Sequence, residues 1–396
     1  MAALFRAADL PAREPAKKHC HPQWFAYEDR VSRAASDFSE PLQQVDGTHI
    51  RLAGRKLIYF GGCDYFRLSQ HPIIRRAVES GMREHGLNPA ASRFTTGNHQ
   101  LYERLEAELG SFFRTETATL TSNGYSTNLI VAQALQGSFS HALIDGRSHR
   151  SLFDSTAYLD CPVIRFSHAD PAALQREIRR LPAKATVLLL TDGLFGHNGR
   201  LAPLREYLEV LPPRSQLVVD DAHGAGTIGR HGRGTCEVLG IAPERVIQTI
   251  SLSKAFGVYG GAILGSRKFR TRMIERSGFL RGNTPLPLPL ASAALSAISV
   301  LRSDRSRRAQ LQRNIGRVQE QCPDCIYPPS PIIGVHPRTI AHGGKLSEHL
   351  LKNGIHPPRI RYEGETDYFR FALSSEHRPA EIEKLLGVLR CCDAFA

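Results

Sequence analysis

The sequence predicts an α/β fold: a mainly parallel β-sheet covered by helices, followed by a smaller α+β C-terminal domain. Two observations carry that expectation. Short, continuously apolar runs alternate with amphipathic stretches from Ile50 onward. Strands that are apolar along their whole length are buried on both faces, as in a parallel sheet under helices. The runs also end alike, in small or polar residues, at the place where an open α/β sheet gathers its ligand crevice.

In chain order, residues 1–45 are polar and irregular, and are expected to form an N-terminal arm with one short helix. Leu101, Leu105, Leu109 and Phe113 recur at helical spacing and predict an amphipathic helix. The apolar runs that follow are TATLTSNG, ALIDGRSH, ATVLLLTDG, QLVVDDAHG, VIQTISLSK and GAILGS. At their ends stand Asn123 and Gly124, Asp145 and His149, Asp192, Asp220 and His223, and Ser251 and Lys254. Runs opening at one end of a sheet argue for one shared pocket, so a large domain is expected over 46–280. A linker helix and a small domain are expected over 281–396. The alternating prolines of FLRGNTPLPLPLAS, from Phe279, are incompatible with a central strand. A long helix is expected from Ala291 to Gln321, and short strands in SPIIGV and DYFRFALS. The final helix starts near Pro379, with Ile382, Leu385, Leu386 and Leu389 on one face.

The chain has 396 residues, 41% hydrophobic and 22% charged. That balance excludes a disordered or fibrous protein. No apolar run approaches the roughly 18 residues that span a bilayer, and the N-terminal segment lacks an apolar stretch with a small-residue cleavage site. A cytoplasmic location is expected. The charge is +13, from 51 basic and 38 acidic residues, but the excess is dispersed. Its densest cluster, from Arg302 to Arg313, reads as a solvated helix face, so no nucleic-acid partner is expected. A protein that takes phosphorylated or carboxylated ligands carries such charge equally well. The eight cysteines are expected to stay reduced. Cys322-Pro-Asp-Cys325 has redox or zinc spacing but lacks a second ligand pair, so no metal is assigned.

Lys254, in Ser-Leu-Ser-Lys-Ala-Phe-Gly, follows a buried strand among small residues. Poor hydration there lowers an amine's pKa toward the neutral form that makes a Schiff base with an aldehyde. A snorkelling lysine is the alternative that the heptad alone leaves open. Asp220, in Asp-Asp-Ala-His-Gly, can hold the proton on a pyridine ring nitrogen, which a pyridine cofactor needs to act as an electron sink. His223 stands within reach of such a ring's phenolic oxygen. The acidic pair could equally bind Mg²⁺. Asn123-Gly124-Tyr125, at a strand-to-helix turn, aims backbone N–H groups at a phosphate, and Ser251 adds a hydroxyl. His149 can lie flat against an aromatic ring, or serve as an ordinary loop histidine.

The ordered series Ser-Asn-Gly-Tyr, Asp-x-x-x-His, Thr-Asp-Gly-x-Phe, Asp-Asp-Ala-His-Gly-x-Gly and Ser-x-Ser-Lys-Ala-x-Gly resembles the α-oxoamine synthases. These are pyridoxal-phosphate (PLP) enzymes of the type I, aspartate-aminotransferase-like fold, and include 8-amino-7-oxononanoate synthase and serine palmitoyltransferase. The resemblance extends from Gly54 to the final helix and implies a seven-stranded sheet in the large domain. It implies that Lys254 forms the Schiff base with PLP, that Asp220 pairs with the ring nitrogen, that His223 bonds the phenolic oxygen and that His149 stacks on the ring. Asn123, Gly124, Tyr125 and Ser251 would hold the phosphate, and Thr284 would reach the phosphate of a second subunit in a homodimer. Arg370, in Tyr-Phe-Arg-Phe-Ala-Leu-Ser, would clamp the amino acid carboxylate, a task that suits its bidentate fork.

The activity so implied condenses an amino acid with an acyl thioester of CoA or acyl carrier protein. Lys254 takes the α-proton, and decarboxylation leaves an α-aminoketone. The alternative is another type I reaction, transamination or decarboxylation. Two departures touch the substrate. The family's Ser-Asn-Asp-Tyr-Leu-Gly-Leu reads Gly62-Cys63-Asp64-Tyr65-Phe66-Arg67-Leu68, so Cys63 stands where an asparagine contacts substrate. The family's Phe-Ser-Met-Asp-Gly-Asp reads Phe195-Gly196-His197-Asn198-Gly199-Arg200, so a serine is lost at Gly196. Substrates other than glycine or alanine with a simple CoA ester are therefore expected.

Overall fold

A computed structural model describes residues 39–360 and 368–391. The helix expected in the N-terminal arm lies outside the described residues. Thirteen strands are assigned among them: β1 (Gln43–Gln44), β2 (His49–Leu52), β3 (Arg55–Ile58), β4 (Thr117–Thr121), β5 (His141–Asp145), β6 (Val163–Phe166), β7 (Val187–Asp192), β8 (Gln216–Asp220), β9 (Val246–Ser251), β10 (Gly261–Gly265), β11 (Ile332–Val335), β12 (Arg359–Ile360) and β13 (Tyr368–Ala372).

The central sheet has seven strands in the order β4-β10-β9-β8-β7-β5-β6. β10 runs antiparallel to both β4 and β9, and the other pairings are parallel. Each of the six apolar runs is a strand. Every residue of β7 and β9 is buried, which is what a strand covered on both faces requires. One expectation fails. Because β10 is reversed, the GAILGS run ends at the edge opposite the crevice, and five runs rather than six deliver residues to it. The register then fixes what meets there. Gly261 pairs with both Thr121 and Ser251, and Asp220 pairs with Asp192 on one side and Thr249 on the other.

Two further features depart from expectation. β6 was not anticipated, because at this sheet edge only Phe166 of its Val-Ile-Arg-Phe is buried and the segment does not read as an apolar run. The long helix divides at Asp304 into Leu288–Ser303 and Arg305–Gln321. Asp304 has non-helical dihedrals, and its Oδ1 accepts hydrogen bonds from Ser306 N (3.0 Å) and Arg307 N (3.4 Å), so it caps the second helix. Cys322 and Cys325 are joined as a disulfide across the single turn that follows this helix, with Cα atoms 5.4 Å apart, contrary to the expectation that all cysteines stay reduced. Helices at Gln100–Phe113 and Pro379–Cys391 form as their periodicity predicts.

The C-terminal strands form a separate sheet, β11-β13-β12, in which Gly334 pairs with Arg370. The hairpin β2–β3 is bonded to this part of the chain. Ile58 N donates to Gly354 O (2.8 Å), His356 N to Ile58 O (2.9 Å) and Ala372 N to Phe60 O (2.6 Å). These bonds draw residues 58–66 alongside β13. Asp64 then accepts from Leu68 N (2.9 Å) and Ser69 N (3.0 Å), closing a tight turn that buries Tyr65 and Phe66. A single hydrophobic cluster runs from these residues through the helix Leu288–Ser303 to Ile332, Phe369 and Leu385. Among the described residues no helix is long and apolar enough to cross a membrane.

Candidate active site

Lys254 lies three residues beyond β9, at the edge where β8 and β7 also end. The loop after it is pressed onto the turn built by Asp64. Gly257 has φ +63°, and a Cβ there would overlap Ser69 N and Leu68. Only glycine accepts both that conformation and that approach. Burial pushes the Lys254 ammonium below its ordinary pKa, against the opposing pull of Cys63, Asp220 and Asp192, while Arg370 adds to the lowering. A lysine so placed spends more of its time as the neutral amine than an exposed one does.

The two adjacent aspartates have separate partners. Asp220 Oδ2 accepts from Asn128 Nδ2 (2.7 Å) and Oδ1 from Ala222 N (3.1 Å). Asp221, fully buried, accepts from Thr235 N (2.8 Å), Thr235 Oγ1 (2.6 Å) and Gln248 Nε2 (2.7 Å). With its oxygens committed to three donors, Asp221 is a brace for the loop after β8 and does not join Asp220 around a cation. Asp192, paired in register with Asp220, accepts from His149 N (2.9 Å). Burial and the charge of Asp220 push its carboxyl well above the usual range.

His223 is buried, and its Nδ1 lies 2.7 Å from the Tyr65 hydroxyl. Burial, with Lys254 and Arg370 nearby, drives its pKa well below 6.5, so the imidazole is neutral. Burial and the adjacent Cys63 thiol hold the Tyr65 phenol well above its ordinary pKa, so it stays protonated. Gly196 lies under the same ring: a Cβ at 196 would overlap His223 Nε2. Arg370 is half-buried, and its Nη1 donates to Gly196 O (3.3 Å). Cys63, Tyr65, Gly196, His223 and Arg370 are thus linked in one cluster. Restoring the family's serine through Gly196→Ser is expected to displace the His223 ring and weaken PLP binding by about tenfold, measured by titrating apoprotein with PLP.

At the other side, the helix Gly124–Leu135 starts beside Ser251. Asn123 Oδ1 caps it by accepting from Ser126 N (2.9 Å). A Cβ on Gly124 would lie 2.8 Å from Ser251 Cβ, so glycine is what lets the helix N-terminus approach that hydroxyl. Exposed N–H groups, a helix dipole and a serine make a cradle for a phosphate. The Tyr125 ring stands edge-on to His149, with centroids 6.1 Å apart, and its hydroxyl bonds Asp154. Burial and Asp154 push that phenol up to about 12. His149 keeps an exposed face. Thr284 is exposed and lines a cavity of about 180 Å³ with Arg93, Ser122 and Arg270.

A ring carrying an aldehyde, a basic nitrogen and a phosphate fits this donor set: an amine at Lys254, a carboxylate at Asp220, a flat imidazole at His149 and the cradle at Gly124 and Ser251. Asp192 was expected at the crevice end of its run without a role, and Tyr65 and Asn128 were not among the residues assigned from sequence. Asn128 heads the apolar segment NLIVAQAL directly after Ser126 and Thr127, where an amide reads as an ordinary polar residue of the first helical turns.

The comparisons with known proteins give the family and the fold. Residues 55–389 match the family described as aminotransferase class I and II. The chain is 32% identical over 380 residues to an 8-amino-7-oxononanoate synthase of Xylella fastidiosa, covering 93% of this chain and 94% of that protein. It superposes on a serine palmitoyltransferase of Sphingomonas wittichii with TM-score 0.83 and 26% identity, covering 93% and 95% of the two chains. A serine palmitoyltransferase of S. paucimobilis with a bound PLP–myriocin aldimine has the same fold, at TM-score 0.80 and 24% identity, covering 89% and 92%. The chain belongs to the class I and II aminotransferase family and, within it, to the PLP-dependent α-oxoamine synthases.

Proposed function

We propose that this protein condenses an amino acid with an acyl thioester, in the manner of 8-amino-7-oxononanoate synthase, with Lys254 as the amine that carries PLP and moves the substrate proton. The observation that carries the reading is a partly buried lysine of lowered pKa that feels the charge of the buried Asp220 carboxylate. When bound, PLP supplies an electron sink for the carbanion formed at the amino acid's α-carbon.

The chain's own residues supply the rest. Asp220 keeps the proton on the ring nitrogen, and Gly124, Tyr125 and Ser251 hold the phosphate through the helix N-terminus, Asn123 fixing that terminus as its cap. His149 covers one ring face. His223, neutral and held by the Tyr65 hydroxyl (2.7 Å), offers its other nitrogen to the phenolic oxygen. Arg370, with one amino group on Gly196 O, binds the substrate carboxylate. Lys254, whose ammonium burial holds below its ordinary pKa, accepts the α-proton at Nζ.

We read the chain as an arm over 1–45, a PLP-binding domain over 46–280 and a C-terminal part over 281–396. It acts in the cytoplasm as a homodimer in which Thr284 completes the phosphate site of a second copy. Treating PLP-loaded protein with borohydride and mapping the peptides tests the core of this reading, with a pyridoxyl mass expected on Lys254. Release of thiol from an acyl thioester in the presence of an amino acid separates condensation from transamination.

The departures from the pattern of the family this chain resembles, at Cys63 and Gly196, point to the substrate. Gly196 borders His223 and Arg370, and Cys63 lies beside Tyr65, whose hydroxyl bonds His223. Turnover of alanine with pimeloyl-CoA is therefore expected to be weak compared with another amino acid or acyl donor, measured by thiol release across a panel of both. Brisk turnover of that pair would sink the expectation.

A further inference from the structure

We propose that Asn128 is a positioning residue that locks the Asp220 carboxylate and the His149 ring to each other. The inference rests on the reading that these two groups receive the edge and face of the PLP ring. Asn128 is fully buried in the helix Gly124–Leu135, and its amide is completely used. One Nδ2 hydrogen goes to Asp220 Oδ2 (2.7 Å) and the other to Ser151 Oγ (2.8 Å), while Oδ1 accepts from Thr249 Oγ1 (2.8 Å). The amide has one allowed orientation, because a carboxylate oxygen only accepts and must face the NH₂ group.

The chain of bonds then reaches His149. Ser151 Oγ takes a hydrogen from Asn128 and lies 2.8 Å from His149 Nδ1, to which it can turn its own hydroxyl hydrogen. Ser151 N also donates to that nitrogen (3.3 Å). With two donors converging on Nδ1, the ring hydrogen sits on Nε2 and the imidazole is neutral. Thr249, the register partner of Asp220 on β9, anchors the amide to the sheet itself. The Asp220 carboxylate cannot turn without breaking its bond to Asn128, and the His149 ring cannot turn without breaking its bond to Ser151, which Asn128 holds.

The test titrates apoprotein with PLP for wild type, Asn128→Leu, Ser151→Ala and Thr249→Val, singly and combined. It reads the dissociation constant and the visible circular dichroism of the saturated protein. Asn128→Leu is expected to weaken PLP binding by about 10- to 100-fold and to alter the dichroism per bound PLP. Ser151→Ala and Thr249→Val should each weaken binding in the wild-type background and add nothing once Asn128 is leucine. Losses that multiply independently, or unchanged dichroism in Asn128→Leu, overturn the proposal. Should Asn128→Leu fail to fold, the Ser151→Ala/Thr249→Val pair decides: a double variant no weaker than its weaker parent supports the lock, and multiplied losses refute it. Failure of wild-type protein to bind PLP refutes the PLP reading instead.

Discussion

Lys254→Ala is expected to lower the rate of amino acid condensation by at least about a thousandfold, with PLP still bound noncovalently. The expectation follows from what surrounds the residue. The ammonium form is penalised by burial and by Arg370, and is only partly restored by Cys63, Asp220 and Asp192. The amine that results is both a nucleophile toward an aldehyde and a base of suitable strength for an α-proton. Alanine removes both roles, and the helix N-terminus, Asp220 and His149 remain to bind the ring. Lys254→Arg separates charge from basicity. A guanidinium keeps the positive charge but cannot give up its proton, so it should fail equally. Small primary amines added to Lys254→Ala should return part of the activity by taking the proton from solution. The measurements are thiol release under saturating amino acid, and borohydride labelling, which should vanish in both variants. Turnover of Lys254→Ala within about tenfold of wild type would remove Lys254 from the chemistry.

Much of this site is legible because its residues stand at the ends of buried strands. The runs QLVVD and VIQTIS announce where Asp220 and Ser251 must sit, since a buried strand in a parallel sheet delivers the polar residue at its carboxyl end to the crevice. The parts that were not legible depend on pairing across long sequence distances. Tyr65 meets His223 over 158 positions, through a hairpin that is bonded to the C-terminal segment. Nothing in Cys-Asp-Tyr-Phe indicates that contact. The five residues of β10 are apolar in either direction, so its reversal follows from the connection after Lys254 rather than from its composition. Asp304 carries a capping signal, but the flanking arginines and serines are as polar inside the helix as at its end. Asn128 reads as one more polar residue of the helix's opening Ser-Thr-Asn until Asp220, Ser151 and Thr249 are brought to it.

Asp220→Asn is expected to lower the condensation rate by about 10²–10³-fold while the neighbouring change Asp221→Ala acts on stability. The side chains are adjacent in sequence but turn to different partners. Both oxygens of Asp220 accept hydrogen bonds, from Asn128 Nδ2 (2.7 Å) and Ala222 N (3.1 Å). An amide at position 220 must point its NH₂ at one of those donors, so it loses a bond as well as the charge. It can no longer keep a proton on a pyridine nitrogen, and the electron sink is weakened at the moment the α-carbon becomes negative. Asp221 instead satisfies Thr235 N, Thr235 Oγ1 and Gln248 Nε2, all buried. Removing its carboxylate strands three donors and should cost about 3 kcal/mol or more, read as a lower urea midpoint. The two variants should therefore divide along different axes. Asp220→Asn should keep most of its urea midpoint and lose its rate, and Asp221→Ala should lose its midpoint while the fraction still folded turns over. If both variants lost rate equally at unchanged stability, the pair would be acting as one acidic site, and the assignment of Asp220 alone to the ring nitrogen would be wrong.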